Sequence, residues 1–100
     1  MIPELAEKGR ELRALCRRYE VGRLEAFGSA VVGAYDAGSD LDFLVEFRAA
    51  STGYADRYFG LLEALQDLFG RPIDLVVASA IRNPYFKESV ERTKTVLYAA

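Results

Sequence analysis

Residues 39–47, Ser-Asp-Leu-Asp-Phe-Leu-Val-Glu-Phe, constrain the fold more than any other stretch of this chain. Side chains alternate between the two faces of a strand, so Leu41, Phe43, Val45 and Phe47 share one side, and Asp40, Asp42, Leu44 and Glu46 the other. A strand that is apolar on one side belongs in a sheet whose apolar side is covered, and the helical patterns elsewhere in the chain supply the cover.

Pro3 suits the first turn of a helix, and Leu5, Leu12, Leu15, Cys16 and Tyr19 recur at helical spacing. A helix is predicted over about residues 3–19, weakened at Gly9 by about 1 kcal/mol relative to alanine. Arg23-Leu24-Glu25-Ala26-Phe27 alternates like a strand and stops at Gly28-Ser29, with a short helix expected over 30–35. Residues 48–53 read as a connection. Tyr58, Leu61, Leu62, Leu65, Leu68 and Phe69 then mark an amphipathic helix that Gly70 terminates. Pro72-Ile73-Asp74-Leu75-Val76-Val77 reads as another strand. From Ser79 the chain turns helical in two pieces divided at Pro84, with Tyr85, Phe86, Ser89, Val90, Thr93, Val96 and Leu97 as the inner face of the last helix. The order α, β, α, β, α, β, α predicts an α+β chain with a mixed sheet packed against helices.

At 100 residues and 51% hydrophobic composition, one core and one domain over 1–100 are expected. A net charge of -2 gives no global reason to bind a polyanion, so direct nucleic-acid binding is not expected. Arg10, Arg13, Arg17 and Arg18 form a local basic cluster that reads first as a solvated helix face. With no histidine and a single cysteine, neither a Cys/His metal site nor a Cys–His nucleophile can be built, and Cys16 falls among core positions. No leader pattern and no apolar run of ~20 residues is present, so a soluble cytoplasmic protein without a membrane span is expected.

Asp40 and Asp42 lie on one strand face with Cα atoms about 6.6 Å apart. Carboxylates so close repel each other unless a cation neutralises them, and their hard oxygens suit Mg²⁺. Asp74 interrupts an apolar strand and joins the pair if the two strands are neighbours. Gly28 allows the backbone conformation of a phosphate-cradling turn, with Ser29 and the helix start beyond it offering N–H groups. Taken singly, each feature also fits a turn cap, a solvent-facing carboxylate or a tight strand-to-helix connection.

Taken together, Gly28-Ser29-Ala30-Val31-Val32-Gly33, five further residues, Ser39-Asp40-Leu41-Asp42 and the later Asp74 resemble the signature of the polymerase-β-type nucleotidyltransferase superfamily, and in particular its minimal nucleotidyltransferases. The resemblance implies a nucleotidyltransferase fold and the transfer of a nucleoside monophosphate, AMP from ATP, to a hydroxyl. It implies that Gly28, Ser29 and Ser39 bind the nucleotide, while Asp40, Asp42 and Asp74 are the catalytic residues and coordinate two Mg²⁺ ions. It departs from the family where arginines are common inside the GS…G segment, since this chain has Ala30 and Val32 there.

The chain has no added domain to hold an acceptor, so the acceptor is expected to come from elsewhere. Stand-alone proteins of this kind resemble the antitoxin of a toxin–antitoxin pair whose partner, encoded nearby, is a helical HEPN ribonuclease. Homo- or hetero-oligomers are compatible with that role. The alternative is a binding module that neutralises its partner by occlusion, using aromatics among Tyr54, Tyr58, Phe59, Tyr85, Phe86 and Tyr98, most of which are expected in the core.

Overall fold

A computed structural model of the protein describes residues 2–32, 40–48 and 53–100. Its elements run α1 (Pro3–Glu7), α2 (Gly9–Arg18), β1 (Val21–Phe27), α3 (Ser29–Val32), β2 (Leu41–Phe47), α4 (Tyr54–Phe69), β3 (Ile73–Val77), a 3₁₀ turn (Ala78–Ala80), α5 (Pro84–Thr93) and β4 (Thr95–Ala99). The single helix expected over 3–19 is two, divided at Lys8, next to the glycine that weakens it. The first strand begins two residues earlier than its alternation suggested, because Val21 is fully buried and pairs with Phe47. Residues 33–35 of the expected short helix, Gly33, Ser39 and much of the connection over 48–53 lie outside the described residues.

The sheet has the order β3-β2-β1-β4. β2 pairs in parallel with β3 across the α4 crossover, and β1 runs antiparallel to both β2 and β4. The mixed sheet with helices is therefore as expected, apart from its last strand.

Where a helical inner face was predicted to include Val96 and Leu97, the chain leaves α5 at Lys94 and enters β4, whose Val96 pairs with Glu25 and Tyr98 with Leu24. A short apolar run satisfies helical and extended periodicity alike, and here the unpaired outer edge of β1 decides the matter. The inner face of α5 is correspondingly narrower: Val90 is buried, whereas Tyr85 and Ser89 are exposed.

The alternation of β2 sorts the two sides of the sheet. Leu41, Phe43 and Val45 enter the main core with Leu12 and Cys16 of α2, Leu61 and Leu65 of α4, and Ile73 and Leu75 of β3. Leu44, of opposite parity, joins Phe27 and Val90 in a smaller cluster beneath α5. α4 closes at Gly70, whose positive φ of 65° lets its N–H reach Gln66 O at 2.8 Å, the stop predicted from the sequence. α5 opens as predicted at Pro84, with Asn83 Oδ1 accepting from the N–H groups of Tyr85 and Phe86. Among the described residues no helix is long and apolar enough to cross a membrane.

Candidate active site

The carboxylate face of β2 is the face that α5 covers only in part. Asp40 immediately precedes the strand and is exposed, while Asp42 is half-buried on it. In the parallel ladder Asp42 stands opposite Asp74, also exposed. Strands pair at about 4.8 Å with side chains of paired residues on one face, so the two carboxylates are immediate neighbours. The condition set by the sequence, that the strand of Asp74 lie beside that of Asp42, is met in register.

Burial pushes the Asp42 carboxyl up from its ordinary 3.8 to about 6, reinforced by the charges of Asp74 and Asp40. As the side chains stand, no three His, Cys, Asp or Glu among the described residues form a ready-made metal cluster. The arrangement is a column of carboxylates with Asp42 as its most constrained member.

The glycine bend meets this column. Phe27, the last residue of β1, pairs with Asp42, and the chain then turns at Gly28 with φ of 75°. A Cβ placed on Gly28 would lie 2.5 Å from Asp42 Oδ2, closer than real Cβ atoms come. Only glycine lets the carboxylate sit against the backbone here. The Gly28 N–H donates to Thr93 Oγ1 at 2.9 Å, and the Gly28 carbonyl accepts from the Val31 N–H at 3.0 Å. The Gly28 N–H is consequently committed to the protein. Ser39 and the side chain of Ser29 lie outside the described residues.

Two residues that sequence reasoning passed over support the site from a distance. Thr93 holds the bend across 65 residues of sequence, a contact that leaves no local pattern. Tyr58 donates its hydroxyl to Leu75 O at 2.6 Å, one residue beyond Asp74, and its ionisation is pushed up by burial and then by the Asp74 charge. Ala30 is fully buried in the main core, so this position serves packing. The arginines of α2 are exposed on the helix that covers the opposite face of the sheet, away from the carboxylates. Cys16 is fully buried, and that burial drives its thiol up to about 12, so it stays protonated at neutral pH.

The profile of the nucleotidyltransferase domain family matches residues 10–97, a span that takes in the bend, the carboxylates, β1 to β3 and the first part of β4. The chain belongs to this family. Two Methanocaldococcus jannaschii proteins, whose names assign them provisionally as protein adenylyltransferases, are 33% and 37% identical over 90 residues, covering 90% of this chain and 88% of each relative. A solved structure provisionally named a minimal nucleotidyltransferase is 31% identical, with a TM-score of 0.75 over 91% of this chain and 90% of its own. The same fold recurs at 18% identity and a TM-score of 0.65 in a structure described as a tri-AMPylated Shewanella oneidensis HEPN toxin in complex with MNT antitoxin, covering 96% of this chain and 73% of that one. For this nucleotidyltransferase-family chain, fold and family are thus fixed independently of the roles of individual carboxylates.

Proposed function

We propose that this chain transfers AMP from ATP to a hydroxyl of a HEPN-type helical protein and thereby acts as the antitoxin of that partner. The observation that carries the reading is the in-register pairing of Asp42 with Asp74 against the Gly28 bend, in a chain of this family. Relatives named for protein adenylylation support AMP as the group and protein as the acceptor class. The likeness to the AMPylated toxin–antitoxin complex suggests the partner.

The donor set fits a divalent cation: Asp42 is raised because burial and two like charges are left uncompensated around hard oxygen donors, the condition that Mg²⁺ relieves. Asp40, Asp42 and Asp74 would hold it, and when bound it supplies positive charge against the phosphate and the leaving oxygens. Asp74, the exposed carboxylate at the edge strand, accepts the proton of the acceptor hydroxyl, a role set by position. The hydroxyl oxygen attacks the α-phosphorus, the bond to the β-phosphate oxygen breaks, and pyrophosphate leaves with that electron pair. The backbone at the start of α3 binds the triphosphate, while Gly28, its own N–H held by Thr93, keeps room for Asp42 beside it.

The test is incubation with Mg²⁺, ATP labelled at the α-phosphate and a HEPN-type protein encoded beside this chain. Label on the partner is expected. Binding of the partner without label would reject transfer.

A second reading, neutralisation by occlusion, draws on the exposure of Tyr54, Phe59, Tyr85 and Phe86, where most of the aromatics were expected in the core. The Asp40→Asn, Asp42→Asn double variant separates the two. Toxin neutralisation that survives it supports occlusion, whereas loss with complex formation retained supports transfer.

A further inference from the structure

β3 is an edge strand, with β2 on one side only. Leu41 N–H donates to Pro72 O at 3.1 Å, so residues 72, 74 and 76 turn their backbone groups to β2, and by alternation 73, 75 and 77 turn theirs away from it. Asp74 therefore has its backbone in the ladder, while the carbonyl of the next residue, Leu75, points out of the sheet's edge. That carbonyl accepts the Tyr58 hydroxyl at 2.6 Å, a bond from α4 across 17 residues of sequence. The strand is thus held in its own plane from both sides at residues 74 and 75.

The two carboxylates of the in-register pair are held by different means. Asp42 lies on an inner strand, paired on both sides, and its carboxylate is seated against the Gly28 bend. Asp74 is exposed, on the face of β3 opposite to Ile73 and Leu75, which enter the main core. Its direction is set by the backbone that carries it, and that backbone lacks a second neighbouring strand. Tyr58 takes the place of that strand at one point. Its ring packs against the main core and stands edge-on to Phe59 at 5.1 Å, so the hydroxyl reaches the edge on a side chain with little freedom. The ionisation of that hydroxyl is pushed up by burial and then by the Asp74 charge, which agrees with their being close.

We propose that Tyr58 is a positioning residue for AMP transfer: by holding Leu75 O it fixes the edge strand and so keeps the Asp74 carboxylate beside Asp42, where the cation and the acceptor hydroxyl meet it. This role rests on the transferase reading above. Tyr58 acts through the backbone, and a displacement of about 1 Å at a reacting group costs about 100-fold in rate, so one hydrogen bond at the edge is enough to matter. The same bond closes the middle of the β3 edge to a further strand, because the carbonyl that such a strand would use is taken.

Three substitutions in the full chain test this. Tyr58→Phe removes the hydroxyl, Tyr58→para-fluorophenylalanine fills its space without a donor, and Tyr58→para-aminophenylalanine restores a donor. Transfer of labelled AMP to the HEPN-type protein encoded beside this chain is expected to fall about tenfold in kcat in the first two, with KM for ATP within about twofold of wild type, and to recover in the third. Mn²⁺ in place of Mg²⁺, with ATP, gives a readout that needs no turnover. It should broaden the amide signals of Asp42 and Asp74 in wild type. The ratio of broadening at Asp74 to that at Asp42 should fall in the two variants without a donor and return with the amine. Variants that rank by melting temperature instead of by the presence of a donor overturn the proposal, as does an unchanged ratio without the donor, and the para-fluoro variant decides if Tyr58→Phe proves unstable. The transferase reading fails separately: wild type with both signals broadened but no label on a bound partner rejects transfer and leaves the hold of Tyr58 on Asp74 standing.

Discussion

Asp42 Oδ2 occupies the space where a side chain on Gly28 would begin, 2.5 Å from an ideal Cβ. A methyl group at position 28 must displace that carboxylate and also adopt φ of 75°, a left-handed conformation that costs an L residue about 1–2 kcal/mol. Gly28→Ala is expected to lose about that much stability, which for a chain of this size lowers the melting temperature by about 4–8 °C per kcal/mol. AMP transfer should fall further than stability does, because the carboxylate that moves is the central one. A variant with full transfer and an unchanged melting curve would show that the bend does not press on Asp42.

Asp42 also sets a pH dependence. Its carboxyl is raised from 3.8 to about 6 in the folded chain, first by burial and then by Asp74 and Asp40. Between these values the folded state binds more protons than the unfolded state, so stability falls as pH rises through the window. Asp42→Asn removes the charge. At neutral pH it is expected to stabilise the metal-free protein by about 1–2 kcal/mol once solvent screening of a half-buried group is allowed for. About a pH unit below 3.8 the gain should be gone, since both states are then protonated in the wild type. Thermal melts of the two proteins across this range decide the point, and a constant difference would mean that charge is not its source.

The sequence made the β2 face legible because a two-residue period carries its own orientation, and Asp40 and Asp42 fell on the side opposite Phe43 and Val45 as that period requires. Gly70 and Asn83-Pro84 were legible because helix ends are decided by local backbone chemistry. β4 was not, since Val96 and Leu97 fit a helix face as well as a strand and only pairing with β1 distinguishes them. The adjacency of Asp42 and Asp74 could be stated only as a condition, because strand order is a property of the whole chain. The bonds from Gly28 to Thr93 and from Tyr58 to Leu75 join distant segments through common residue types, and nothing in the local pattern marks either residue.

Like charges left uncompensated around Asp42 predict a response to divalent cations. With ATP present, Mg²⁺ at ten times its dissociation constant should stabilise the wild type by about 1.4 kcal/mol, read as a rise in melting temperature that EDTA reverses. Asp42→Asn and Asp74→Asn should each lose most of that rise, because each removes one donor of the in-register pair. Asp67 lies in α4 on a different element, so Asp67→Asn should keep it. Equal responses in all four proteins would sink the assignment of the cation to this face.

Thr93 gives the sharpest test of how the bend is held. It lies at the end of α5, and its Oγ1 accepts the part-buried N–H of Gly28 at 2.9 Å. Valine keeps the shape of threonine and removes the acceptor, so Thr93→Val leaves that N–H unsatisfied at a cost of about 1–2 kcal/mol. Serine restores the oxygen, and Thr93→Ser should lie much closer to wild type in stability and in AMP transfer. Hydrogen exchange at the Gly28 amide isolates the contact from general loss of stability: it should quicken about tenfold for each 1.4 kcal/mol in Thr93→Val, more than amides elsewhere in β1. If that amide exchanges at the same rate in both variants, the threonine oxygen does not hold the bend, and the link from the chain's last helix to Asp42 is lost with it.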